Sequence, residues 1–98
     1  MIMIIERIKK KSVEGTVYHM DGTTSRRTFH SFTEVQTQVE GYVEQLEWKG
    51  EMYLVDEEGN LKNKKINPHA MKLIGLPIVG TIVKLDEDLE LLHYETLH

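Results

Sequence analysis

Two short turn signals constrain the fold of this chain more than any other feature of its sequence. Asp21-Gly22-Thr23-Thr24 separates VEGTVYHM from SRRTFHSF, and Lys49-Gly50 separates GYVEQLEW from EMYLV. The flanking segments are rich in β-branched and aromatic residues, and a glycine-containing dipeptide between such segments is typical of a β-hairpin turn. The chain is therefore predicted to contain two hairpins. The predicted strands of the first hairpin are 13–20 and 25–30.

The second hairpin also predicts its own register. With a two-residue turn, Leu46 faces Tyr53 and Glu44 faces Val55. One face of its first strand carries Tyr42, Glu44, Leu46 and Trp48. This face is predicted to meet the core because the opposite face is more polar. Glu44 is predicted to be a structural carboxylate at the core margin, since an unpaired buried charge is costly.

A capping-box pattern predicts the first helix. Ser31 and Glu34 have the spacing at which each side chain can bond the other residue's backbone amide, and Gly41 follows at the position of a left-handed C-terminal cap. The predicted helix runs from about 32 to 40.

A second helix is predicted after the lysine-rich segment LKNKKI. Asn67 is a suitable N-cap, Pro68 suits the first helical position, and Gly75 marks the end of a helix over 69–74. The near-continuous apolar run IVGTIVKL then predicts a strand at 78–85 that is buried on both faces.

Strands and helices alternate without a regular βαβ repeat, so the predicted class is α+β. The expected architecture is an antiparallel or mixed sheet of about five or six strands built from hairpins, with short helices on one side. Residues 2–8 are predicted to add a short strand. The acidic segment 86–98 is a possible helix, and 1–98 is expected to form a single domain.

Composition narrows the functional classes. The 98 residues contain no cysteine, which excludes disulfides, thiolate metal sites and a cysteine nucleophile. The net charge is −4, and residues 1–85 carry 12 basic against 11 acidic side chains, so duplex nucleic acid is not an expected partner. The apolar opening MIMII is too short for a membrane span or a signal peptide, so the expected location is the cytoplasm of the host cell.

No pattern supports catalysis or metal binding. The five histidines lack the tight spacing of a metal site, although His19 and His30 could meet across the first hairpin. The acidic run 56–60 lacks the spacing of a calcium loop and is predicted to be a solvated hairpin tip. Glu44 and Glu47 point to opposite faces of one strand, which does not favour a carboxylate pair. The chain is predicted to have no enzymatic activity and no cofactor.

The segment LKNKKINPHA is the exception. Its lysines precede a predicted helix N-terminus, where free amide groups and the helix dipole favour an anion. The alternative is that the lysines only neutralise the neighbouring acidic turn and stay in water. The candidate ligand-binding residues are Lys62, Lys64, Lys65, Asn67 and His69. Tyr42 and Trp48 are candidates to support the site, together with Glu44.

Residues 39–85 resemble a family of small domains of unknown function encoded by phages, plasmids and other mobile elements. The resemblance is carried by a Gly-Tyr-Ile/Val-Glu motif, an acidic-Gly turn, Asn-x-x-Ala and Ile-x-Gly. Glu40 departs from the family pattern where a first glycine is expected, and residues 1–38 match nothing in it. The matching positions are Val39, Gly41, Tyr42, Glu44, Asp56, Glu57, Glu58, Gly59, Asn67, Ala70, Ile78 and Gly80.

The resemblance implies an accessory protein of a phage or other mobile element, such as one that counteracts a host defence, and it supplies no reaction or catalytic residue. One hypothesis is a non-enzymatic protein that binds a host protein or sequesters a small anionic, nucleotide-like ligand. The other is a structural or regulatory phage protein that acts only through protein–protein contacts. A homodimer is expected because a chain this short buries little core.

Overall fold

The computed structural model describes residues 12–87, which form one five-stranded antiparallel sheet and two short helices. The strand order is β2-β1-β5-β4-β3, and this arrangement confirms the α+β prediction. The strand predicted at 2–8 lies outside the described residues, as does almost all of the possible helix at 86–98. The elements are β1 (Val13–Tyr18), β2 (Thr24–Phe29), α1 (Phe32–Val39), β3 (Val43–Trp48), β4 (Glu51–Asp56), α2 (Ala70–Leu73) and β5 (Ile82–Leu85).

Both hairpins are confirmed, and so is the register of the second one. Leu46 faces Tyr53 and Glu44 faces Val55. The turn residues Lys49 and Gly50 have φ values of 50° and 78°, the left-handed conformations that a tight two-residue hairpin turn requires.

The first hairpin closes through its own turn chemistry. Asp21 Oδ1 accepts hydrogen bonds from the Thr23 amide at 2.9 Å and the Thr23 hydroxyl at 2.6 Å, while Gly22 adopts a φ of 90°. The aspartate thereby fixes the chain reversal that its sequence predicts.

Helix α1 starts as predicted but ends differently. Ser31 Oγ accepts a hydrogen bond from the Glu34 amide at 3.3 Å. The Glu34 carboxylate, expected to accept from the Ser31 amide, instead accepts from the His30 amide at 3.3 Å. The left-handed cap is Glu40, with φ of 60°, and not the predicted Gly41. Gly41 is therefore needed for another reason, which the surroundings of Asp56 reveal.

The two helices cover opposite faces of the sheet rather than one side. Side chains of α1 pack into one buried cluster, and side chains of α2 pack into the other. Neighbouring residues of β5, such as Ile82 and Val83, point into different clusters because side chains alternate along a strand. The first cluster contains Val13, Val17, Phe29, Val35, Val39, Leu54, Val83 and Leu85. The second contains Tyr53, Val55, Ala70, Ile74 and Ile82.

The last strand is central and buried on both faces, which confirms the inference drawn from its apolar run. It is shorter than predicted, because Gly80 has a φ of 81° and the regular strand begins at Ile82. Before that kink, Val79 forms an isolated bridge with Ile66.

Strand β3 lies at an edge of the sheet, and here the prediction about its faces is wrong. Tyr42 is 67% exposed and Trp48 is 41% exposed, while Leu46 is only partly buried against the second cluster. Glu44 is exposed and does not lie at the core margin. An edge strand has one neighbour, so its apolar side chains are covered incompletely.

Neither helix of the described region is long and apolar enough to span a membrane.

Candidate functional site

A buried aspartate organises the loop that follows β4. Asp56 is the last residue of β4, and its side chain has no exposed area. Its Oδ2 accepts from Lys62 Nζ at 2.9 Å and lies 2.7 Å from Lys64 Nζ, and its Oδ1 accepts from the Glu58 amide at 2.9 Å. We call Asp56, Lys62, Lys64 and Gly41 the Asp56 cluster.

The two lysines also bond the end of α1. Lys62 Nζ donates to the Glu40 carbonyl at 3.0 Å, and Lys64 Nζ donates to the Val39 carbonyl at 2.8 Å. The last carbonyls of a helix have no intrahelical donor and carry partial negative charge. Each ammonium group therefore supplies both a hydrogen-bond donor and a compensating positive charge. The Asp56 cluster thus ties the end of β4, the following turn and the end of α1 together.

Electrostatics within the cluster favour the ionised aspartate. Burial acts to raise the pKa of the Asp56 carboxyl. Hydrogen bonds from Lys64, from Lys62 and from the Glu58 amide outweigh burial and lower that pKa from 3.8 to about 2. Asp56 is therefore a structural anion, not a group poised to exchange protons near neutral pH.

The structure does not gather the predicted anion-binding residues at the start of the second helix. Lys62 and Lys64 turn back to Asp56, and Lys64 is only 18% exposed. Lys65 is exposed, and no residue in 12–87 pairs with its ammonium group. The acidic run is also not a solvated hairpin tip, because Asp56 is buried and the following chain leaves β4 to form the Ile66–Val79 bridge.

Asn67 is a buried tie between three segments. Its Nδ2 donates to the carbonyls of Tyr18 and Gly80, each at 2.9 Å, and its Oδ1 accepts from the His69 amide at 2.8 Å. The predicted capping role is thus met in part, although the helix itself begins at Ala70. With all its polar atoms engaged, Asn67 offers no group to a ligand.

The histidines have separate local partners. The His69 ring meets the Tyr18 ring edge-on, with centroids 5.3 Å apart. His19 Nε2 is 2.7 Å from Ser25 Oγ, and His30 Nδ1 is 3.4 Å from Glu34 Oε1. His19 and His30 lie at opposite ends of the first hairpin, so they do not meet as the sequence suggested. Residues 12–87 contain no group of three or more histidine or acidic side chains that could hold a metal ion.

Two open grooves flank the Asp56 cluster. One, of about 430 Å³, runs beside α1 and is lined mainly by polar side chains, with Tyr42 at its wall. The other, of about 310 Å³, lies between Met20 and Lys65 and also contacts Glu40. In neither groove do several uncommitted cations converge, which is what tight capture of a phosphorylated ligand requires.

The third surface feature is apolar and lies at the β3 edge. The Trp48 ring lies 3.9 Å from the position that a Cβ on Gly75 would occupy, and the next residue, Leu76, is exposed. Leu46 and Pro77 line one side of a small depression of about 120 Å³ whose other lining side chains are largely polar and acidic. We call Leu46, Trp48 and Leu76, with the free side of β3, the edge surface.

Sequence reasoning missed Asp56 as the centre of its loop. Two signals were present: an aspartate at the end of a strand, and two lysines six and eight positions later. Gly41 is a third signal, although its position after the helix indicates a cap and not a contact with Asp56. A Cβ at Gly41 would lie 2.5 Å from Asp56 Oδ1 and 2.7 Å from Lys62 Nζ, so a side chain there collides with the ion pair.

We therefore expect Gly41→Ala to lower the free energy of unfolding by about 1–3 kcal/mol, through overpacking of a carboxylate that several donors hold in place. Denaturant titration of Gly41→Ala, Asp56→Ala and the double variant measures this. The alanine at 41 should cost clearly less when Asp56 is already truncated. If Gly41→Ala lowered the free energy of unfolding equally with and without Asp56→Ala, the clash would not involve the Asp56 side chain.

A scan against models of protein families finds no match for this chain, and searches among curated proteins and among solved structures find no similar protein. The resemblance of residues 39–85 to mobile-element domains therefore stays a prediction.

Proposed function

We propose that this protein is a non-enzymatic module that acts through protein–protein contacts made by the edge surface. The observation that carries the proposal is the contrast between its two kinds of surface. Two of the three lysines predicted to bind an anionic ligand are committed to Asp56. Trp48 and Leu76, in contrast, remain exposed at the edge of the sheet. An exposed aromatic next to unpaired backbone groups is a common form of protein-binding surface.

The proposal favours the structural or regulatory hypothesis over sequestration of a nucleotide-like ligand. Its setting in a phage or other mobile element, and in the cytoplasm of a host cell, rests on the resemblance of residues 39–85 alone. Under this proposal the partner of the surface is either a host protein or a further copy of the chain.

The test is a double substitution, Trp48→Ser with Leu76→Ser, in the full chain. We expect association with other protein chains, measured by sedimentation velocity and by affinity capture, to weaken at least about 30-fold, because exposed aromatic anchors commonly contribute 2 kcal/mol or more. The melting temperature should fall only by several degrees, since Trp48 is 41% and Leu76 50% exposed and each loses only part of its packing.

Leu61→Ser is the matched control, because Leu61 is an exposed leucine in the turn beyond the opposite end of β4. It should leave association unchanged. Mass spectrometry of small molecules released from the natively purified protein supplies the competing outcome. A stoichiometric anionic ligand whose binding is lost in Lys65→Ala, with association unaffected by Trp48→Ser and Leu76→Ser, would overturn the proposal.

A further inference from the structure

We infer that the partner of the edge surface is a second copy of this chain, paired antiparallel along β3 with a twofold axis at Leu46. This inference rests on the proposed function and names the partner. It joins the two five-stranded sheets into one continuous sheet.

The backbone pattern of the second hairpin shows which groups of β3 face outward. The Glu57 amide donates to the Tyr42 carbonyl at 2.8 Å. Bonded and non-bonded pairs alternate along an antiparallel ladder, so the even-numbered residues Glu44, Leu46 and Trp48 direct their backbone groups toward β4. Val43, Gln45 and Glu47 therefore direct their N–H and C=O groups to the free side, where no strand of the described region lies.

This alternation restricts how two β3 strands can pair. Only odd-numbered residues can bond across the new ladder, so a twofold axis must pass through a single residue position. An axis at Glu44 or at Glu47 places that carboxylate opposite its own copy, which is unfavourable. An axis at Gln45 places Glu44 opposite Leu46 and Glu47 opposite Val43, against apolar side chains.

An axis at Leu46 places no carboxylate opposite its own copy, and the carboxylate that faces an apolar ring, Glu44 opposite Trp48, has Lys49 beside it. Leu46 faces Leu46 of the second copy in a non-bonded pair, where side chains approach most closely. Gln45 faces Glu47 of the second copy, and an amide can donate to a carboxylate. Backbone bonding then amounts to about four hydrogen bonds around the axis.

The charges also match in this register. Trp48 faces Glu44 of the second copy, and Lys49 Nζ lies over the Trp48 ring, 5.8 Å from its centroid. The Lys49 ammonium is thereby held on the same face as that carboxylate. Each Lys49 thus meets a Glu44 across the interface, once on each side of the axis.

The other edge strand of the described sheet does not offer this complementarity. Arg26 and Arg27 are adjacent in β2, so pairing centred on either residue opposes two guanidinium groups. Both arginines also form ion pairs within the chain. Arg26 pairs with Asp86, and Arg27 Nη2 lies 3.7 Å from Glu34 Oε1.

The chain contains no cysteine, so single-cysteine variants report the register directly. Cα atoms of a non-bonded pair are about 4.5 Å apart, within the range of a disulfide. We expect Leu46→Cys to form a disulfide-linked dimer at least about 10-fold faster under mild oxidation than Gln45→Cys, whose copies are offset by two residues. Faster linkage of Gln45→Cys would overturn the Leu46 register.

Charge reversal tests the same register without a new side chain at the axis. Sedimentation equilibrium should give twice 11.4 kDa for the unmodified chain. Glu44→Lys and Lys49→Glu should each weaken the dimer several-fold, and the double variant should restore it, since the swapped pair still matches. A double variant that dimerises as weakly as the single variants would contradict the Glu44–Lys49 contact.

Failure of this inference is distinguishable from failure of the proposed function. A mass of 11.4 kDa together with capture of another protein that depends on Trp48 and Leu76 would retain the function and overturn self-pairing. A monomer whose Leu46→Cys thiol is protected from alkylating reagents would assign the edge to another segment of the same chain, and would overturn both.

Discussion

We expect Asp56→Asn to lower the free energy of unfolding by about 3 kcal/mol, because removing one member of a buried ion pair leaves its partners without compensation. The amide nitrogen would also face two ammonium donors. Lys62, which is 40% exposed, can turn to water, whereas Lys64 is 18% exposed and remains beside the α1 carbonyls. In a domain of this size the melting temperature should fall by on the order of 15 °C.

Acid titration provides an independent measure of the same interaction. The pKa of Asp56 is about 2 in the folded protein against 3.8 for an ordinary aspartate, so the unfolded chain takes up the proton first as the pH falls. The stabilisation is complete above about pH 4 and is lost progressively down to about pH 2, and it amounts to roughly 2–3 kcal/mol. The difference in stability between the unmodified protein and Asp56→Asn should shrink over this interval.

Glu57→Gln is the matched control, since Glu57 is the adjacent carboxylate and is exposed. Its effect at pH 7 should stay within about 0.5 kcal/mol. A stability gap for Asp56→Asn that is the same at pH 7 and at pH 2.5 would show that the loss comes from shape and not from charge.

We expect Asn67→Ala to cost a comparable amount, about 2–4 kcal/mol, through unsatisfied buried groups. The change removes the donor to the Tyr18 and Gly80 carbonyls and the acceptor for the His69 amide, and it leaves a small cavity. Chemical denaturation at neutral pH measures the loss.

Asn67→Asp separates this explanation from simple loss of volume. Aspartate keeps the shape and the acceptor for His69, but it places a carboxylate against two carbonyl oxygens, so we expect at least as large a loss as with alanine. Asn60→Ala, at an exposed asparagine in the turn, should be nearly neutral. An Asn67→Asp protein as stable as the unmodified chain would contradict the hydrogen-bond assignment.

Most positions that carry the resemblance have a structural reason in this fold. Gly59, for example, cannot take a side chain, because a Cβ there would lie 2.7 Å from Val79 Cγ2. Tyr42, Glu44 and Glu57 have no such structural reason, because their side chains are exposed. Two of these three lie at or on β3, where the proposed contacts are made. The positions with a structural reason are Val39, Gly41, Asp56, Gly59, Asn67, Ala70 and Gly80.

The sequence by itself determined the local elements of this protein. Lys49-Gly50 specified both the second turn and its register, because positive φ at two successive residues is encoded locally and a two-residue turn leaves one pairing. Ser31 specified the start of α1 in the same way, through a bond that spans three residues. The burial of β5 followed from its composition alone.

Only the tertiary structure decided which strand lies at the edge, which helix covers which face, and where the lysines point. Strand order is set by contacts between residues far apart in the chain. The alternating pattern of β3 therefore predicts Leu46 and Trp48 as core residues, whereas the position of β3 at the edge of the sheet leaves them incompletely covered. The bond from Lys64 to Val39 spans 25 residues, and that from Asn67 to Tyr18 spans 49. No local pattern encodes such distances, and that is why a segment that resembled an anion site is instead the point at which the loop, the helix and the sheet are joined.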